Sequence, residues 1–91
     1  MNVKDAVKSG MSYIKDLFEQ ENISNLGLEE VTFEPGNKVW VVTVGFSRAW
    51  DYPKPNVLTM VSNVNLAPNR VYKVLRIDDE SGEVMSVTNR D

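Results

Sequence analysis

Apolar positions at the start of the chain fall at helical intervals. Val3, Ala6, Val7, Gly10, Ile14, Leu17 and Phe18 recur at spacings of three and four, while Lys4, Asp5, Lys8, Ser12, Lys15, Asp16 and Glu19 occupy the other faces. The spacing predicts one amphipathic helix. Asn2 is its expected N-cap, because a side-chain oxygen there can accept a backbone N–H that has no intrahelical partner. The helix is expected to stop near Asn22 to Asn25, where polar turn formers collect. Gly10 lies on the apolar stripe at a cost of about 1 kcal/mol relative to alanine. The expected compensation is a close approach of the helix to a sheet.

After the helix the period changes. Leu28, Val31 and Phe33 in segment 27–34 predict a strand with a polar outer face, and Pro35-Gly36-Asn37 is a turn signal. Residues 39–46, VWVVTVGF, carry the densest β-branched and aromatic content in the chain. Trp40, Val42, Val44 and Phe46 share one face and should meet the helix. Val39, Val41, Thr43 and Gly45 share the other, which is expected to be half-buried or to meet a partner. Segment 47–56, with two prolines, reads as a loop. Segment 57–66 reads two ways. Leu58, Met60, Ser62, Val64 and Leu66 line one face of a strand, whereas Val57, Met60, Val61 and Val64 line one face of a helix; β-branched residues and asparagines favour the strand. Ala67-Pro68-Asn69 is a turn. Residues 70–77 alternate, 78–83 turn tightly, and 83–88 close a hairpin with Val84, Met85 and Val87. The predicted fold is α+β: one N-terminal helix packed on a four- or five-stranded antiparallel sheet, in a single domain over 1–91.

Composition then narrows the chemistry. The chain of 91 residues has no cysteine and no histidine. Disulfides, thiolate catalysis and histidine-based triads are excluded, as are the usual zinc and copper ligands. The formal net charge is -3 and the cations are scattered, so neither a nucleic-acid partner nor a membrane partner is expected. The N-terminus MNVKDAVKSGMSY has no uninterrupted apolar run of the signal-peptide kind, and residues 39–46 are too short to span a bilayer. A cytoplasmic location is the expectation.

The stretch YKVLRIDDESGEVMSV, Tyr72 to Val87, resembles the closing hairpin of PepSY-like domains. In that family a strand ends in an Ile-Asp pair, a Thr/Ser-Gly-Glu turn follows, and the last strand starts with an apolar residue. Ile77, Asp78, Ser81, Gly82, Glu83 and Val84 stand at those positions. LEEVTF (Leu28 to Phe33), WVVTVGF (Trp40 to Phe46) and the leading helix are similar to the rest of the family pattern. The resemblance spans most of 3–46 and 70–89; segment 47–69 departs from it as an insertion or an added strand. It implies a cystatin-like helix-on-sheet fold. It also implies kinship with protease-propeptide segments that bind or inhibit peptidases, and it brings no catalytic residue. Many members are exported, and the N-terminus departs from that.

Three polar groups compete for a functional role. Asp78, Asp79, Glu80 and Glu83 are oxygen-rich enough to suggest Ca²⁺, but their spacing is not that of an EF-hand loop. The competing expectation is a hairpin turn in which Asp78 bonds local amides and Gly82 takes positive φ. Glu29, Glu30 and Glu34, with Asp51, suggest an acid/base pair against the competing expectation of a solvated sheet face. Arg48, Trp50, Tyr52, Pro53 and Pro55 combine the residue types enriched at binding hot spots with proline stiffening; alternatively Trp50 and Tyr52 cap the core. Trp40 and Phe46 are expected in the core. No metal and no cofactor are expected. The resulting expectation is a non-enzymatic protein-binding module, an inhibitor or immunity-type partner of another protein, acting through the 47–56 loop. Self-association through the Val39/Val41/Thr43 face or the edge near 57–66 is one alternative, and small-ligand binding is another.

Overall fold

The computed structural model describes residues 1–48 and 70–90. Helix α1 spans Val3–Leu17 and is followed by a single 3-10 turn, Glu19–Glu21. The strands are β1, Ser24–Glu34; β2, Val39–Ser47; β3, Val71–Asp78; and β4, Val84–Asn89. They form one antiparallel sheet in the order β1-β2-β3-β4, with α1 laid on one face. This is the expected α+β arrangement. Trp50, Asp51, Tyr52, Pro53 and Pro55, the strand-or-helix question over 57–66 and the turn at 67–69 lie outside the described residues.

The helix begins as its sequence dictates. The side chain of Asn2 accepts the N–H of Asp5 at 2.8 Å, satisfying one of the four orphan donors of the first turn. The end differs from the expectation. Regular helix stops at Leu17, and Phe18 leaves helical geometry at φ -105, ψ 21. The Phe18 ring packs on Phe46 with centroids 5.1 Å apart, and Asn22 closes the segment in the left-handed region at φ 49. The apolar stripe is also narrower than the spacing suggests. Ala6, Gly10 and Ile14, four residues apart, are the buried ones, while Val3 and Leu17 remain 46% and 52% exposed.

The core is built where that stripe meets the sheet. Ala6, Ile14, Val42, Val44, Phe46, Leu75 and Ile77 are fully buried in one cluster. Gly10 permits the contact: a Cβ there would stand 3.3 Å from Val42 Cγ1 and 3.7 Å from Ile77 Cδ1. The expected close approach of helix to sheet is therefore present. Trp40 differs. It is half-buried at the rim of the core, its ring 4.8 Å from that of Phe33. On the opposite face Val39 and Thr43 are buried and Val41 is half-buried.

Strand β1 starts at Ser24, three residues before the expected Gly27, and contains two irregularities. One lies between Ser24 and Gly27, where Asn25 takes φ 57. The other lies between Leu28, which pairs with Val44, and Glu30, which pairs with Thr43. A bulge inserts one residue and so reverses side-chain parity. For this reason Leu28 and Val31 both face the helix although they are three apart. From Glu30 to Glu34 the register with β2 is regular. Strand β2 runs through Ser47, so the expected loop begins at least one residue later.

Candidate functional site

The acidic run 78–83 is a turn-building device. The Asp78 carboxylate accepts the Ser81 hydroxyl at 2.9 Å and the Glu80 N–H at 3.3 Å. Its backbone carbonyl accepts the Gly82 N–H at 2.8 Å, and Gly82 has φ 74. These bonds hold the Asp78 carboxyl below its ordinary pKa of 3.8, the Ser81 hydroxyl first and the Glu80 amide next. Asp79 turns the other way. Its Oδ1 accepts the Trp40 indole N–H at 2.8 Å, and its own N–H donates to Lys38 O at 3.0 Å. The two hairpin turns at this end of the sheet are thereby fastened together through Trp40.

The glutamates of β1 share a face, as their parity and the bulge require. Glu34 accepts both Nη2 and Nη1 of Arg76, at 2.7 and 3.3 Å, and Asn37 Nδ2 at 3.3 Å. The Arg76 bonds, followed by the one from Asn37, lower the Glu34 pKa from its ordinary 4.5. Glu29 lies 3.8 Å from Arg70 Nε, and Arg70 Nη1 donates to Asn25 O at 2.8 Å. Gly45 makes room for this pair. A Cβ at that position would come within 2.7 Å of Arg70 Nη2 and 2.9 Å of Glu29 Oε1. Glu30 is exposed and makes no ion pair among the described residues. No pair of convergent carboxylates results: Glu29 and Glu34 each answer an arginine, and Asp51 lies outside the described residues.

The folded-state carboxyls of Asp78 and Glu34 both titrate below their unfolded values. Their contributions are complete above the ordinary values of 3.8 and 4.5 and are lost as pH falls through the lowered ones. Thermal melts taken from about pH 6 down to about pH 2 should therefore show a falling Tm below about pH 4. Asp78→Asn should flatten part of that fall, since an amide keeps the acceptor but does not titrate. An unchanged acid limb would disprove the assignment to Asp78.

Arg48, the first residue of the expected binding group, lies 3.7 Å from Glu21 Oε1. It ties the end of β2 to the 3-10 turn. Trp50, Tyr52, Pro53 and Pro55 lie outside the described residues.

A second surface emerges where the first turns of α1 overlie β1. Val3, Val7, Leu28 and Val31 line an open groove of ≈ 400 Å³, with Lys4 and Lys8 on its rim. Leu28 is 42% exposed, and Phe33, farther along β1, is 39% exposed. Sequence reasoning assigned Val3, Leu28 and Val31 to the core-facing stripes. The three-residue step from Leu28 to Val31 breaks strand alternation and marks the bulge, but it carries no signal of whether either side chain is covered. Strand β1 is an edge of the sheet, with β2 as its sole partner among the described residues. An exposed apolar groove beside an unpaired strand edge is the kind of surface that binds other chains.

Comparison with protein-family models, with curated proteins and with solved structures finds no match. Among the described residues no helix is long and apolar enough to cross a membrane.

Proposed function

We propose that the protein is a non-enzymatic protein-binding module, an inhibitor or immunity-type partner of another protein, with a PepSY-like fold and a cytoplasmic location. The observation that carries this reading is the apolar groove of Val3, Val7, Leu28 and Val31 beside the edge of β1, which is open among the described residues. Large apolar side chains left exposed in contiguous array cost solubility, and a partner that covers them recovers about 25 cal/mol per Å². Two further observations agree. The carboxyls with shifted pKa values are held ionised by structural hydrogen bonds, whereas a general acid needs its pKa raised. The absence of cysteine fits a reducing compartment.

This reading moves the binding surface from the 47–56 loop to the α1/β1 groove, and the two can be separated. Affinity purification from the cells that make the protein, quantified by mass spectrometry, should recover a partner with wild type and with Trp50→Ala/Tyr52→Ala. Val3→Glu/Leu28→Glu changes exposed positions and should lower recovery about tenfold or more, the effect of losing hot-spot contacts. Equal recovery by all three proteins would refute the groove, and selective loss with the loop variant would return the surface to Trp50 and Tyr52.

A further inference from the structure

The exposed part of β1 has a regular stretch, a defined parity and an asymmetric charge pattern, and together these specify what can lie against it. From Glu30 to Glu34 the strand pairs with β2 without interruption, from Glu30 opposite Thr43 to Glu34 opposite Val39. Its other side has no strand among the described residues. Bulges, which blunt edges against pairing, are confined to the part before Glu30. Val31 and Phe33 point to the helix side, continuous with the groove; Glu30, Thr32 and Glu34 point to the outer face. On the helix side the charged residues lining the groove are the cations Lys4 and Lys8. On the outer face Glu34 is held by Arg76, whereas Glu30 is exposed and makes no ion pair among the described residues.

We propose that β1 accepts an extended segment of another protein as a fifth strand along residues 30–34. That segment alternates apolar residues, which face the groove, with polar ones on the outer face, among them a lysine or arginine opposite Glu30. The inference rests on the binding-module reading and names the partner's chemistry. Main-chain hydrogen bonds to the open edge supply sequence-independent affinity, and alternate side chains supply specificity. A slip of one residue would turn that cation toward Lys4 and Lys8 and the apolar side chains toward water, so the register is defined. A second copy of this chain is a poor occupant. Antiparallel pairing of 30–34 with itself about Thr32 sets Glu30 opposite Glu34 of the other copy, twice, where it meets a carboxylate that Arg76 already holds and gains no cation.

The test uses a capped peptide of about nine alternating lysines and valines, roughly the length of a typical strand with margins. Its pattern reads the same in both directions, so parallel and antiparallel docking are sampled together. The control has the same composition arranged as one lysine block and one valine block. Hydrogen exchange of the full chain, followed by mass spectrometry, should show slowed exchange over 30–34 with the alternating peptide and not with the block control. Binding should weaken about fivefold with Glu30→Lys and about tenfold with Val3→Glu/Leu28→Glu. Absence of saturable binding up to ~1 mM overturns the proposal, as does protection confined to β4 or binding indifferent to Glu30→Lys. A concentration-dependent dimer of the free protein, protected over 30–34, would replace the proposed occupant with a second copy. Capture of a cellular partner that depends on Val3 and Leu28, without any peptide protection at 30–34, would overturn strand addition alone and leave the binding-module reading standing.

Discussion

Phe46→Ala is expected to cost about 3–5 kcal/mol of folding stability, the largest loss of any single truncation in the described core. Phe46 is the largest fully buried side chain among the described residues, and its ring lies at a tilt against that of Phe18, the residue at which α1 ends. Removing the ring therefore opens a cavity and releases the Phe18 contact at the point where α1 ends. A domain of this size has a total stability of only about 5–15 kcal/mol, so the variant should stand near its unfolding midpoint at mild denaturant. Urea titration followed by circular dichroism reads this directly. The midpoint should fall sharply while the slope stays unchanged, as expected when stability changes but the exposed area does not. A loss under about 1 kcal/mol would mean that the ring is not packed as described.

Gly10→Val should destabilise by about 2–3 kcal/mol, for the opposite reason. The first added carbon already meets Val42 Cγ1 at 3.3 Å, and the branching methyls have nowhere to go between Val42 and Ile77. The helix must lift from the sheet or the valines must leave their rotamers. Gly10→Ala is the informative control. It gains about 1 kcal/mol of helix propensity and loses part of it to one tight contact, so its net effect should be within about 1 kcal/mol. If Gly10→Val melts at the wild-type temperature, α1 does not approach the sheet as closely as the contact with Val42 requires.

These two positions show how the sequence could be read correctly in one place and incompletely in another. Glycine on an apolar helical stripe is costly unless something needs the space, so Gly10 announced a close contact from sequence alone. Phe18 carried no comparable signal. It lay at helical spacing from Ile14, and its ring partner Phe46 is far away along the chain, on β2. Propensity and periodicity are local, whereas the aromatic contact made where α1 ends is tertiary.

The acidic residues follow the same division. Asp78 and Gly82 form the turn that their types and spacing suggested, because an aspartate-initiated turn is closed by atoms within a few residues. Asp79, one position on, bonds Trp40, which lies 39 residues away in sequence, and nothing near it in the chain pointed there. Glu34 and Arg76 are 42 residues apart and meet only because β1 and β3 both flank β2. The proposed binding surface was least legible of all. Val3, Leu28 and Val31 look like core residues in any hydrophobicity pattern, and the sequence marks no difference between an apolar residue that will be covered and one that will not.

The alternation of apolar residues thus determined the elements, their order and their inward faces: one amphipathic helix, then strands that can bury one side against it. It also determined what chemistry is missing, since no arrangement can supply thiols or imidazoles that the chain lacks. The tertiary structure decided which apolar residues are in excess. The buried stripe of α1 is only Ala6, Gly10 and Ile14 wide, and the fully buried strand residues that meet it in the core lie on β2 and β3. The bulge after Leu28 turns that residue to the helix side at the margin of the covered area. Area and register, which arise only when the helix is laid on the sheet, leave Val3, Leu28 and Phe33 exposed beside an edge that is unpaired among the described residues.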